Sequence, residues 1–183
     1  MSRKTELLKV LNDYYSEYDF ACKISRDKYL KTLAPGASVP QYGKLHTEED
    51  RARFNQKAEE YRSKVKAIFD GARADEKKRF AATPSGEAAN AIAVISARDK
   101  LTENEVSALM ERFSDNPMTL STIADIARKK GVKLVQGYHL DERLDAIDQT
   151  EQNVNAALSP EGLKGGKVFK WMLENDINEH FID

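Results

Sequence analysis

The sequence predicts an all-α fold, built as a long N-terminal helical hairpin with coiled-coil character followed by a compact C-terminal bundle of short helices. Three observations carry this reading. Apolar residues recur at three- and four-residue spacing along most of the chain. Turn-forming residues are scarce, with 9 Gly and 5 Pro in 183 residues, and lie mostly between the periodic segments. Charged residues make up 32% of the chain and mean hydropathy is −0.64, a composition suited to long solvated helices.

From Ser2 to Leu33 the positions Leu7, Leu11, Tyr14, Tyr18 and Cys22 advance by three or four and define one helical face, broadened by Leu8, Tyr15 and Ile24. Pro35, Gly36 and Pro40 stop that helix, and residues 34–46 read as a loop. Thr47, followed by Glu48, Glu49 and Asp50, reads as an N-cap with acids where the helix dipole favours them. A second long helix follows. Phe54, Ala58, Tyr61, Val65, Ile68 and Ala72 form a narrow seam that needs a partner, either the first helix or a second copy of the chain. Gly71 is a place where this helix could bend.

The run TPSGE at 83–87 ends that helix and caps the next at Ser85. Ala88, Ala89, Ala91, Ile92, Val94, Ile95 and Ala97 make a short helix apolar on most sides, hence expected to be buried. Thr102 and Glu105 have capping-box spacing ahead of Val106, Leu109, Met110 and Phe113. The chain breaks again at Pro117, Thr119 or Ser121 opens the next helix, and Gly131 closes it in a left-handed conformation. Residues 132–135 read as an extended segment or a first turn. A further helix begins at Asp141 and runs through Leu144, Ile147, Val154 and Ala157. Ser159, Pro160 and Glu161 read as another helix start, ahead of an aromatic tail that holds Phe169, Trp171, Phe181 and Ile182. The expected domains are therefore 1–82, the hairpin, and 83–183, the small helical domain with its tail.

Charge divides along the same line. Residues 1–82 carry 18 Lys/Arg against 13 Asp/Glu, and the remainder 11 against 17, around a total of −1. That asymmetry can orient subunits or meet a charged partner, but it falls short of the basic excess of a nucleic-acid domain. The single cysteine, Cys22, excludes an intramolecular disulfide and a thiolate metal site, and its place on the apolar face points to packing. The charged N-terminus and the lack of any long apolar run imply a soluble intracellular protein.

No chemistry announces itself. His46, His139 and His180 have no metal-ligand spacing, and the Gly-Gly-Lys at 165–167 lacks both the first glycine and the Ser/Thr of a phosphate-binding loop. The sequence therefore implies no catalytic residue, no cofactor and no metal. One segment does resemble a DNA-reading element. In helix-turn-helix motifs an Ala packs between the helices and a Gly four residues later makes the turn; Ala127 and Gly131 match, within 119–135. The cluster Arg128, Lys129, Lys130 and Lys133 would contact phosphates. The second half departs from the pattern, because Gly137 stands where an apolar core residue belongs and Asp141 and Glu142 follow it.

The segment ALMERFSDNPMTLSTIADIARKKGV at 108–132, preceded by a charged helical half, resembles a pattern found in small helical proteins of tailed bacteriophages and prophages. That resemblance implies a structural or assembly role, in the virion or in head assembly, with the protein in the host cytoplasm and in the virion. It carries over no catalytic or binding residue. The partners it implies are other virion or assembly proteins and copies of the chain itself, with no membrane. The expected partner-binding residues are Phe54, Tyr61, Val65 and Ile68 along the seam, and Phe169, Trp171, Phe181 and Ile182 in the tail. DNA binding through 119–135 is the alternative.

Overall fold

The computed structural model describes residues 2–133, 139–159, 170–175 and 177, and among them the fold is all-α, with no strand. Six helices run in order: α1 (Arg3–Thr32), α2 (Glu48–Phe80), α3 (Gly86–Ala97), α4 (Glu103–Arg112), α5 (Pro117–Lys129) and α6 (Leu140–Ala157). A helical stretch at 170–175 follows. At about 1.5 Å per residue α1 extends roughly 45 Å and α2 roughly 50 Å. Helix α2 continues through Gly71 without interruption. The chain forms two compact units, 1–70 with 148–183, and 71–147. The sequence places its domain border between 82 and 83. Packing groups the end of α2 with the short helices, and the described residues after 147 with α1.

In the first unit α1 and the first part of α2 form an antiparallel hairpin. Contacts pair rising positions of α1 with falling positions of α2: the Tyr14 ring meets Tyr61 at 5.4 Å, and the Tyr18 ring meets Phe54 at 5.0 Å, both edge-on. Tyr14 also reaches Phe54 at 5.5 Å. Leu7, Leu11, Tyr14 and Cys22 of α1, and Phe54, Ala58, Tyr61, Val65, Ile68 and Phe69 of α2, are all buried. Tyr14 Oη donates to the Leu158 carbonyl at 3.2 Å, and burial pushes its phenol up to about 12, so it remains a donor across the ordinary pH range. Arg62 donates to the same carbonyl at 2.9 Å, so both long helices satisfy the chain where it leaves α6.

Ile24 is a correction to the expected stripe. At about 100° per residue it lies well over 100° from the centre of the Leu7 to Cys22 face, and it is exposed.

The loop end of the hairpin is fixed by a buried hydroxyl. Ser25 Oγ accepts the His46 N–H at 2.8 Å, and His46 stacks on Tyr29 at 5.2 Å. Thr47 caps α2 by accepting the Asp50 N–H at 3.0 Å. The Ser25 hydroxyl beside Asp50, aided by Thr47 and Lys28 against the effect of burial, holds the Asp50 carboxyl below its ordinary range.

The second unit packs Ala88 and Ile95 of α3, Val106 of α4 and Ile123 and Ala127 of α5 together with Leu101, Phe113 and Val132. Each short helix has a built start. Ser85 Oγ accepts the Ala88 N–H at 3.2 Å, and Thr102 and Glu105 form the reciprocal capping box that their spacing predicts. The Thr102 backbone N–H, then its hydroxyl and Arg98, draw the Glu105 carboxyl down to about 2. Helix α5 starts earlier than expected: Pro117 is inside its first turn and Asn116 is the cap, accepting the Thr119 N–H at 2.9 Å. Proline is favoured there because its missing N–H would have no partner in a first turn. At the other end Gly131 takes φ +80°, with the Gly131 N–H on the Arg128 carbonyl and the Val132 N–H on the Ala127 carbonyl at 3.0 Å each, a Schellman closure.

Helix α3 differs from its expectation. Only Ala88 and Ile95 are buried, and Val94 is 60% exposed. Alanine raises helix propensity as much as it signals a core, and a small unit covers one side of such a helix. In the same unit the carboxylate of Glu76, almost wholly buried, lies 3.3 Å from Arg79 and 3.4 Å from Arg143, joining the end of α2 to the start of α6. Two guanidinium groups beside one carboxylate offset the cost of taking it out of water.

Ser25→Ala is expected to cost about 0.5–1.5 kcal/mol in chemical denaturation, because it removes the acceptor of the partly buried His46 N–H. Asp50 stabilises the fold above the ordinary carboxylate pKa of about 3.9 and loses that contribution as pH falls through its lowered folded value. The variant should therefore lose less stability on acidification between pH 5 and pH 3 than the parent chain. An equal loss in both would remove Ser25 from this role.

Candidate functional site

Four features could carry function: a cleft under the loop, an apolar ridge on α1, the basic end of α5, and the exposed aromatic stretch near 171. A cleft of about 460 Å³ lies between α1, α2 and the loop, lined chiefly by Tyr14, Tyr18, Tyr42, Phe54, Arg51 and Arg62. Several of its polar groups are engaged in holding the chain. Arg51 donates to the Leu45 carbonyl at 3.3 Å and pairs with Glu48 at 3.0 Å, while Arg62 serves Leu158 and pairs with Glu59. Tyr18 Oη donates to the Gly43 carbonyl at 3.3 Å, and burial raises its phenol. Among the described residues the lining includes no carboxylate, imidazole or thiol, the groups that most often act as general acids, bases or nucleophiles near neutral pH.

Cys22 is buried, and burial pushes its thiol up, which keeps it from the reactive thiolate form. Among the described residues no cluster of His, Cys, Asp and Glu could hold a metal ion, and no helix is long and apolar enough to cross a membrane.

The residues expected along the seam, Phe54, Tyr61, Val65 and Ile68, are brought together, but inside the chain. They are buried with α1 in their own unit, and Phe54 also lines the clefts on either side of it. The reason for their burial is Tyr14 and Tyr18, whose rings occupy the seam that a second copy would otherwise fill. Of the tail residues, Phe169, Phe181 and Ile182 lie outside the described residues. Trp171 is 62% exposed and Met172 57%, whereas Leu173 and Ile177 beside them are buried. That stretch is therefore both part of the fold and a carrier of exposed apolar surface.

A surface that the sequence reading did not single out lies on α1. Phe20 is 65% exposed and Ile24 is exposed one turn on. They border a second cleft of about 460 Å³ shared with α2, where Ala21, Arg53, Phe54 and Lys57 also contribute. The signal was available, since Phe20 is two residues out of phase with Tyr18 and Cys22 and so faces away from the core stripe.

The basic cluster closing α5 is only partly free for a phosphate backbone. Lys130 Nζ donates to the Ser96 carbonyl at 3.1 Å and to the Arg98 carbonyl, satisfying the C-terminal end of α3. Arg128 pairs with Asp125 at 3.2 Å and lies 3.4 Å from His139. Lys129 and Lys133 are exposed. Of the second half of the helix-turn-helix pattern, residues 134–138 lie outside the described residues, and α6 begins at Leu140.

No family model matches this sequence, and no curated protein or solved structure matches it either.

Cys22 is expected to resist a soluble aromatic disulfide reagent at pH 8 in the folded chain, reacting at least about 100-fold more slowly than in denaturant. Equal rates in the two states would contradict its burial.

Proposed function

We propose that this chain is a non-enzymatic structural or assembly protein that acts through helical protein–protein contacts, as a component of a tailed-phage virion or of head assembly. The observation that carries the proposal is the placement of large apolar side chains, Phe20 and Trp171 above all, on otherwise charged surface. Aromatic residues exposed in this way are typical anchors of protein interfaces, where a few of them supply most of the affinity. The resemblance of 108–132 to small helical phage proteins gives the virion context, and partners would be other assembly proteins and copies of the chain. The charged faces of α1 and α2 supply the polar rim that such contacts need.

The alternative, duplex DNA binding through 119–135, rests on Lys129 and Lys133, the exposed members of its basic cluster that no ion pair among the described residues engages, with Arg128 exposed beside them but paired to Asp125. It requires salt-sensitive binding that drops when both lysines become Ala.

Trp171 is the informative position to change. Removing the whole tail would also strip buried Leu173 and Ile177, so a loss of binding could not be separated from a loss of fold. Trp171→Ala is expected to weaken co-sedimentation with purified head or tail particles by about 10-fold or more, with helicity by circular dichroism unchanged. Binding of the parent chain to duplex DNA but not to particles would replace this function with the alternative.

A further inference from the structure

We infer that α1 is a self-complementary surface on which two copies of this chain pair antiparallel about a two-fold axis beside Cys22. The inference rests on the structural role proposed above and names the partner of one surface. Its starting point is the ridge of Phe20 and Ile24, exposed on the side of α1 away from the hairpin core.

The charges along that same side are sorted by position. At about 100° per residue, Asp13, Glu17, Phe20, Ile24, Lys28 and Lys31 fall within an arc of roughly 80°. Within that arc the acids precede the apolar pair and the lysines follow it, while Lys9 and Asp27 lie just outside it at one edge. Reversing one copy about the midpoint of Phe20 and Ile24 lays Phe20 against Ile24 of the other copy, twice. The same operation sets Asp13 opposite Lys31, and Glu17 within reach of Lys28. It maps each edge of the face onto the same edge of the partner, so Asp27, at the far edge, meets Ser16 and not an acid. A parallel pairing would place acid on acid and lysine on lysine, which like-charge repulsion disfavours.

A cleft lined by Ala21, Ile24, Arg53, Phe54 and Lys57 borders the ridge on the side of α2. Existing ion pairs do not hold the charges back. Asp13 lies 3.8 Å from Lys9 and Glu17 3.9 Å from Lys57, long separations at exposed sites where such pairs contribute little, whereas Lys28, 3.5 Å from the nearly buried Asp50, is shared between that carboxylate and the facing Glu17. An interface centred on two aromatic and two aliphatic side chains belongs to the weak, reversible class, with an expected dissociation constant of about 10–100 µM.

Sedimentation equilibrium of the full chain over a range of concentrations tests this. The parent chain should pass from monomer to dimer. Phe20→Ser, at an exposed position, should weaken dimerisation by at least about 10-fold with helicity retained. Asp13→Lys and Lys31→Asp should each weaken it about 3- to 10-fold, and the double variant should recover to within about twofold of the parent. Failure of the double variant to recover would overturn the antiparallel pairing. A parent chain that stays monomeric to about 1 mM, or dimers indifferent to Phe20→Ser, would overturn the surface itself. A monomeric chain that still co-sediments with particles defeats this inference and leaves the proposed function standing. A dimer that binds no particle does the reverse.

Discussion

The hairpin depends on Tyr14. Its ring stands between Phe54 and Tyr61 of α2, and its hydroxyl satisfies the Leu158 carbonyl after α6, so one side chain joins three segments that are distant in sequence. The chain has limited means to replace it. Both long helices are dominated by charged and polar residues, and their apolar faces are narrow, so a few large aromatic side chains must supply most of the area removed from water. Aromatic rings also keep two helices well apart while filling the space between them. The polar tip of tyrosine, unlike phenylalanine, serves the carbonyl that would otherwise be buried without a partner.

Polar groups do comparable work where the helices end. Ser25 holds the loop end of the hairpin through His46 and Asp50. Lys130 closes α3 by reaching its last carbonyls, and the Thr102–Glu105 box opens α4. Glu76 binds the end of α2 to the start of α6 through Arg79 and Arg143. A charge-rich chain of this kind gains definition from satisfied helix ends and paired buried charges as well as from its core.

Much of this was legible in the sequence because it is local. The three- and four-residue spacing located α1 and α2, the Thr102 to Glu105 spacing announced a capping box, and Gly131 announced a left-handed closure. What escaped depends on the third dimension. Thr119 looked like the opening of α5, but Asn116 is the cap and Pro117 sits inside the helix; proline breaks a helix interior and suits a helix start, and the sequence alone did not say which applied. The alanines of α3 read as core, yet most of its surface is open, since propensity and burial give alanine the same signature. The seam of Phe54 and Tyr61 was equally ready for α1 or for another copy, and only the packing of Tyr14 and Tyr18 separates the two. Lys130 read as a phosphate contact because its carbonyl acceptors lie more than thirty residues away. Of the exposed apolar side chains, Trp171 was legible as an aromatic in the tail, whereas Phe20 was hidden by its position inside a helix already assigned to packing.

Division of labour between the two sides of α1 follows from these facts. One side is spent on the hairpin, through Tyr14 and its neighbours, and this leaves the opposite side, with Phe20 and Ile24, as the part of the helix open to other molecules. The claim beneath this division is that Tyr14 and Phe54 stabilise each other inside one chain. A double-mutant cycle with Tyr14→Leu and Phe54→Leu, read by chemical denaturation, tests it most directly. A coupling of about 0.5–1.5 kcal/mol is the expected result, and effects that add to within about 0.3 kcal/mol would contradict it.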